Sequence, residues 1–144
     1  FNMAGWRVGM VVGNAHIIKT ILEVKSNMDS GMFFGIQKGA VEAFKLSSDW
    51  FALQNKIYEQ RRKLVWKIFD ALNCTYDSTI GGLFVWAKIP KGESSEEITD
   101  RLLYEKDVFI TPGTIFGSNG EGYIRASLCV NEIALKEVLK RVTT

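Results

Sequence analysis

Long apolar runs, histidine and paired cysteines are scarce in this sequence of 144 residues. No stretch approaches the roughly 18 uninterrupted apolar residues of a membrane span, and the start has no secretory pattern. Cys74 and Cys129 lie far apart with no CxxC or Cys/His spacing, which indicates no metal site and predicts free thiols in a reducing cytoplasm. His16 is the single histidine and has no catalytic partner near it in sequence, so no triad is indicated. The net charge of +2 does not suggest nucleic acid.

The chain opens on Phe1 and enters an apolar, glycine-rich stretch at once, whereas natural N-termini are usually looser and more polar. We therefore expect a piece of a longer protein. The Val- and Met-rich run Val8–Val12 predicts a buried strand. Without its sheet, that strand would be an edge that awaits partners, which predicts self-association.

Three helices are predicted before residue 73. Asn14 suits the cap of a helix of about a dozen residues, and a second helix follows at about 35–46. A much longer helix over 47–72 has apolar residues at helical spacing, at Leu53, Ile57, Leu64, Ile68 and Leu72. Its polar middle is typical of a bridge between two packed bodies and equally of one long solvated helix.

Residues 73–144 predict a compact α/β unit. Three strands are predicted, at Leu83–Ala87, Val108–Ile110 and Tyr123–Leu128. Ser94 and Glu97 fit a capping box for a helix to about Lys106, and Asn131 suits the cap of a final helix.

Two arginines stand in unusual settings. Arg7 lies between Trp6 and an apolar stretch, and Arg125 lies inside an otherwise apolar strand pattern. A buried arginine requires an anion, and its guanidinium suits bidentate pairing with a carboxylate or phosphate. An arginine pointing outward on an alternating strand is the other interpretation. The glycine-rich segment 113–122 similarly fits a loop that lets backbone approach a ligand, or a plain surface turn.

The surroundings of the two arginines resemble class I and II aminotransferases, which are pyridoxal-phosphate enzymes of fold type I. Residues 1–9, Phe-Asn-Met-Ala-Gly-Trp-Arg-Val-Gly, are similar to the segment that follows the family's Schiff-base lysine. Residues 112–127, from Pro-Gly-Thr-Ile-Phe-Gly to Gly-Tyr-Ile-Arg-Ala-Ser, resemble its C-terminal signature. The run 25–31 looks closest to the branch with LL-diaminopimelate and aspartate aminotransferases.

The resemblance implies an architecture. Residues 1–46 would be the tail of the large cofactor-binding domain, and 47–72 the long interdomain helix. Residues 73–144 would form the small C-terminal domain, with a short mixed or antiparallel sheet covered by helices.

The resemblance also implies a chemistry. Arg7 would bind the phosphate of pyridoxal 5'-phosphate, and Arg125 would hold the substrate α-carboxylate while an amino group moves between an amino acid and a 2-oxo acid. The intact enzyme would be a homodimer in the cytoplasm, with no nucleic-acid or membrane partner. The lysine would lie two places before Phe1, so the chain contains no catalytic residue of its own and is expected to be inactive alone.

Three other interpretations fit the sequence. A carbon–sulfur lyase on the same cofactor shares the fold and both arginines. A non-catalytic aminotransferase-like regulatory domain would bind the cofactor as a ligand. A free-standing α/β binding or dimerisation module fits the composition but leaves the ordered pair of arginine motifs unexplained.

Overall fold

The computed structural model describes residues 1–144 and contains five α-helices and one four-stranded sheet. The helices are α1 (Ala15–Met28), α2 (Phe34–Ala43), α3 (Ser48–Ala71), α4 (Ser95–Lys106) and α5 (Glu132–Thr143). The strands are β1 (Thr75–Tyr76), β2 (Phe84–Lys88), β3 (Thr111–Pro112) and β4 (Tyr123–Ser127). None of the helices has both the length and the apolar character that crossing a membrane requires. The predicted α/β class is confirmed.

The chain divides into two compact units, Phe1–Leu53 and Gln54–Thr144. No residue of the first unit is buried. Its segment Val8–Val12 forms no strand, and the exposed fraction of its valine and methionine side chains runs from 41% to 81%. A strand needs a neighbour that accepts and donates its backbone hydrogen bonds, and no segment of this chain pairs with 8–12. The prediction of a buried strand there is therefore wrong for this chain.

A helix cap and aromatic side-chain contacts hold the backbone of the first unit. The Asn14 side chain accepts a hydrogen bond from the His16 N–H at 2.9 Å, so the predicted cap of α1 is confirmed. The Phe1 ring meets the ring of Phe51 edge-on, with 5.3 Å between centroids. The Trp6 ring covers Gly39 of α2 so closely that a Cβ there would lie 2.4 Å from Trp6 Cζ3. Aromatic contacts thus attach residues 1–6 to the helices that follow.

The hydrophobic core belongs to the second unit. One face of the sheet packs against α4, α5 and the second half of α3, as the alternating burial of β2 shows. Phe69 of α3, Ile98 and Leu102 of α4 and Ile124 of β4 are almost completely removed from solvent. At roughly 1.5–3 kcal/mol for each fully buried large apolar side chain, this cluster is the main source of stability.

The sheet is antiparallel in the order β1-β2-β4-β3. One prediction about it is wrong in detail, and one of its strands was not predicted. Residues 108–110 alternate in burial like a strand, but the pairing with β4 begins only at Thr111, opposite Arg125. The short strand β1 was not predicted, because two residues are too few to show an alternating pattern.

Both predicted caps in this unit are confirmed. Ser94 and Glu97 form a reciprocal capping box at the start of α4. The hydrogen bonds from Ser94 hold the pKa of the Glu97 carboxyl below its usual value. The Asn131 side chain accepts a hydrogen bond from the Ala134 N–H at 2.9 Å and begins α5.

Ser95, the first residue of α4, fastens the glycine-rich segment 113–122 to the helix. Its hydroxyl is buried and accepts hydrogen bonds from the N–H groups of Gly122 at 2.9 Å and Tyr123 at 3.1 Å. Its own N–H donates to the Glu121 carboxylate at 2.9 Å. Glu121 thereby places negative charge at the positive end of the helix dipole.

Within that segment the backbones of Gly113 and Gly120 touch. A Cβ on Gly113 would lie 2.1 Å from the Gly120 carbonyl oxygen, and a Cβ on Gly120 would lie 1.9 Å from the Gly113 oxygen. Only glycine at both positions permits this approach. The segment is therefore a closed loop, and the rest of it is positioned by this contact.

Replacing Ser95 with alanine should destabilise the chain by about 1–3 kcal/mol, because the part-buried N–H groups of Gly122 and Tyr123 lose their acceptor. Urea unfolding followed by tryptophan fluorescence measures the change. Ser118→Ala, at an exposed serine of the same segment, is the control and should stay within about 0.5 kcal/mol. Equal stability of the two variants would show that the Ser95 hydroxyl does not hold the segment.

Gly113→Ala should be destabilising by about 1–3 kcal/mol or more, because the new methyl group overlaps a carbonyl oxygen. The matched control is Gly81→Ala, where a Cβ meets nothing within 4 Å. That substitution should be neutral or stabilising by up to about 1 kcal/mol, since alanine restricts the unfolded chain. Thermal unfolding of both variants distinguishes the expected loss of stability in Gly113→Ala from the neutral or stabilising effect of Gly81→Ala. A Gly113→Ala variant as stable as the wild type would contradict the closed loop.

Candidate functional site

Arg125 occupies the middle of β4, with partners on both sides in the sheet. It is paired with Trp86 of β2 and Thr111 of β3. Its neighbour Ile124 faces the core and is fully buried, whereas Arg125 is half-buried on the opposite face. The sheet therefore projects the arginine away from the core. This agrees with the interpretation of Arg125 as an outward-pointing residue on an alternating strand.

The guanidinium of Arg125 lies between two aromatic rings. Its central carbon is 4.1 Å from the centroid of the Phe84 ring and 3.8 Å from that of Phe116. None of the ion pairs of the structure includes Arg125. Since aromatic faces attract cations, the rings stabilise the charge without neutralising it. The arginine therefore has no acidic partner within the chain.

Sequence reasoning missed both phenylalanines. Phe84 precedes Trp86 by two positions, and strand alternation alone puts the two on one face with Arg125 once the register of β2 and β4 is known. Phe116 ends a short 3-10 turn, Gly113–Phe116, and its ring contacts Trp86 edge-on at 5.3 Å. No pattern in the sequence indicates this contact, because it depends on the closed loop between two glycines.

Arg7 lies in the first unit and has a left-handed backbone, with φ 55° and ψ 35°. It follows the 3-10 turn Ala4–Trp6, and its N–H donates to the Ala4 carbonyl at 3.3 Å. The exposed side chain donates one long hydrogen bond, 3.4 Å, to the same carbonyl and has no acidic partner. A non-glycine residue in this region of φ and ψ is uncommon and is held there by its surroundings. The turn therefore presents a guanidinium with most of its donors available.

The single histidine and the two cysteines do not form a candidate site. His16 is exposed in the first turn of α1. Cys74 is buried and Cys129 exposed, and both are free thiols. Burial raises the pKa of the Cys74 thiol to about 11, so it is protonated and unreactive at neutral pH.

The two arginines offer hydrogen-bond donors in different geometries. A guanidinium whose faces are covered still offers N–H groups along its edges, which match the two oxygens of a carboxylate. A guanidinium at an exposed turn suits a phosphate dianion, which accepts hydrogen bonds from several directions. Each prediction of a role for Arg7 or Arg125 stays a prediction at this point.

Comparison with known proteins gives the family. Residues 1–142 match the family model described as aminotransferase class I and II. The LL-diaminopimelate aminotransferase of Maridesulfovibrio salexigens is 40% identical over 143 residues, which are 99% of this chain and 37% of that protein. LL-diaminopimelate aminotransferase 2 of a Nostoc species is 36% identical over 142 residues, 99% of this chain and 36% of that protein.

Solved structures agree with the sequence matches. The aromatic aminotransferase of Pyrococcus horikoshii superposes with a TM-score of 0.85 at 31% identity, covering 99% of this chain and 39% of that one. The chain thus spans somewhat more than a third of the length of its curated relatives. Since the family model covers nearly every residue, the chain belongs to the class I and II aminotransferase family.

Proposed function

We propose that the protein that carries this chain moves an amino group between an amino acid and a 2-oxo acid with pyridoxal 5'-phosphate. In this proposal Arg125 binds the α-carboxylate of both substrates and Arg7 binds the phosphate of the cofactor. The observation that carries it is the Arg125 guanidinium, stacked between two rings and paired with no carboxylate of its own.

A comparison with the other arginines of the second unit supports this role. Arg61, Arg101 and Arg141 each donate from Nε to a glutamate at 2.8–3.0 Å. The hydrogen bond from Arg61 lowers the pKa of Glu132 below its usual value, as expected of a formed pair. Arg62 donates to the carbonyls of Ile80 and Gly82, both at 2.6 Å. These four arginines are occupied by structural partners, whereas Arg125 has only the two rings.

The cofactor fits the chain through Arg7. The left-handed turn exposes a cationic side chain whose only acceptor is one distant carbonyl, so a dianionic phosphate can take its donors. When bound, pyridoxal phosphate serves as an electron sink for the charge that forms at the substrate Cα. Arg125 would orient the substrate through two parallel hydrogen bonds, which fixes the direction of the Cα–H bond.

We propose LL-diaminopimelate as the first amino donor to test. Two curated relatives with 40% and 36% identity bear that substrate in their names. The donor's distal groups would contact parts of the protein other than Arg125, because Arg125 binds the carboxylate that all amino acids share. We also propose the domain limits 1–46, 47–72 and 73–144 and a homodimer in the cytoplasm.

In the intact protein, Arg125→Lys should lower kcat/KM for the amino acid roughly 30- to 150-fold, as expected for the loss of about 2–3 kcal/mol from a charged bidentate pair. Formation of the 2-oxo acid product is followed in a coupled assay. Arg101→Lys, which changes an arginine of the α4 surface, is the matched control and should stay within about twofold. Unchanged kcat/KM in Arg125→Lys would refute the carboxylate role. Release of ammonia without consumption of a 2-oxo acid would indicate a lyase instead.

Arg7→Gln in the intact protein should weaken binding of pyridoxal phosphate on the order of tenfold or more, because a charge-assisted contact with the phosphate is lost. Absorbance titration with the cofactor measures the Kd. Binding of pyridoxal, which lacks the phosphate, should not change, and Lys19→Gln, at an exposed cation of the same unit, should behave as wild type. If pyridoxal and pyridoxal phosphate lose affinity equally, Arg7 does not act through the phosphate.

A further inference from the structure

The two rings around Arg125 come from different parts of the second unit. Phe84 is the first residue of β2, opposite Ser127 of β4. Phe116 belongs to the closed loop between Gly113 and Gly120, which lies outside the sheet. The guanidinium is therefore enclosed by rings from two elements that are separated in the sequence.

Stacking on both faces has a directional consequence. A guanidinium is planar, and its hydrogen-bond donors all lie in that plane. With a ring centroid about 4 Å away on each side, the plane is fixed while the donors along its edges remain free. An arginine ion-paired with a carboxylate of its own would instead have those edges filled. The rings supply attraction to the cation without competing for its donors.

Each ring is itself held in place. The Phe116 ring contacts Trp86 edge-on, and its loop is fastened to α4 by Ser95. The residues before Phe84 are held by Arg62, which donates to the carbonyls of Ile80 and Gly82. Both rings are therefore held in place by contacts within the chain.

We propose that Phe84 and Phe116 are positioning residues for Arg125. They hold its guanidinium in one orientation, so that the free edge meets the substrate carboxylate without first losing rotational freedom. This restriction in the unbound state strengthens binding, because the ordering of a long side chain is otherwise a cost of association. The inference rests on the proposed carboxylate role of Arg125 and adds how that role is achieved.

Nuclear magnetic resonance of the 144-residue chain tests the enclosure directly. With 15N-labelled arginine, the Nε–H signal of Arg125 should lie upfield of the other five arginines, because protons over ring faces are shielded. Phe84→Leu and Phe116→Leu should each move it downfield, and Phe84→Tyr and Phe116→Tyr should leave it in place. Tyr104→Leu, at an aromatic residue exposed on α4, is the control and should have no effect. An unshifted Arg125 signal in the wild-type chain would overturn the proposal.

Kinetics of the intact protein test whether the two rings strengthen substrate binding by Arg125. Each leucine variant should raise KM for the amino acid and for the 2-oxo acid roughly 3- to 30-fold, the range expected from one cation–π contact. The value of kcat should change less than KM, and the tyrosine variants should restore KM because they keep the ring. Tyrosine variants as impaired as the leucine variants, or an unchanged KM in both leucine variants, would overturn positioning by the rings.

The two experiments distinguish a failure of the proposed function from a failure of the positioning role. An intact wild-type protein that binds no amino acid and transfers no amino group would refute the proposed function, while a shielded Arg125 signal would still support the enclosure. An active protein whose Arg125 signal is unshielded would retain the proposed function and refute the positioning role.

Discussion

The antiparallel pairing of β2 with β4 is the contact on which the second unit depends. These strands occupy the middle of the sheet and share five register pairs, from Phe84–Ser127 to Lys88–Tyr123. On one face, their buried residues close the core against the helices. On the other face, the same register brings Phe84 and Trp86 beside Arg125. A shift of one residue would exchange the two faces and send the arginine into the core, where an unpaired charge is strongly disfavoured. Stability and the candidate site thus require the same register.

The first unit depends on different forces. It contains two complete helices, the beginning of α3 and no buried residue, so aromatic contacts, helix caps and backbone hydrogen bonds hold it together. Its apolar side chains are largely exposed, and a solvent-exposed set of this kind is typical of a surface that another segment covers. This fits the proposed role of residues 1–46 as part of a larger domain.

Local chemistry allowed the sequence to predict the helices well. The side chains of Asn14, Ser94 and Asn131 cap the helices predicted to begin there, because a cap involves residues only two or three positions apart. The failures were non-local. Val8–Val12 has the composition of a strand but no partner in this chain, and the pairing of β3 is set by β4. The surroundings of Arg125 include both a feature that the sequence shows and contacts that it does not show. The arginine itself is visible in the strand pattern. Its two rings are 41 and 9 positions away and contact it only because of the sheet and the closed loop.

The contact between Gly113 and Gly120 limits how this site can evolve. Neither glycine accepts a side chain, so changes of shape near Phe116 must come from the residues between them. Ile115, Ser118 and Asn119 are exposed and free of such crowding. Sequence drift at those three positions can alter the outline of the loop while the ring stays over the guanidinium. The loop thereby combines a fixed contact, the Phe116 ring against Arg125, with exposed positions at which the side chain can change.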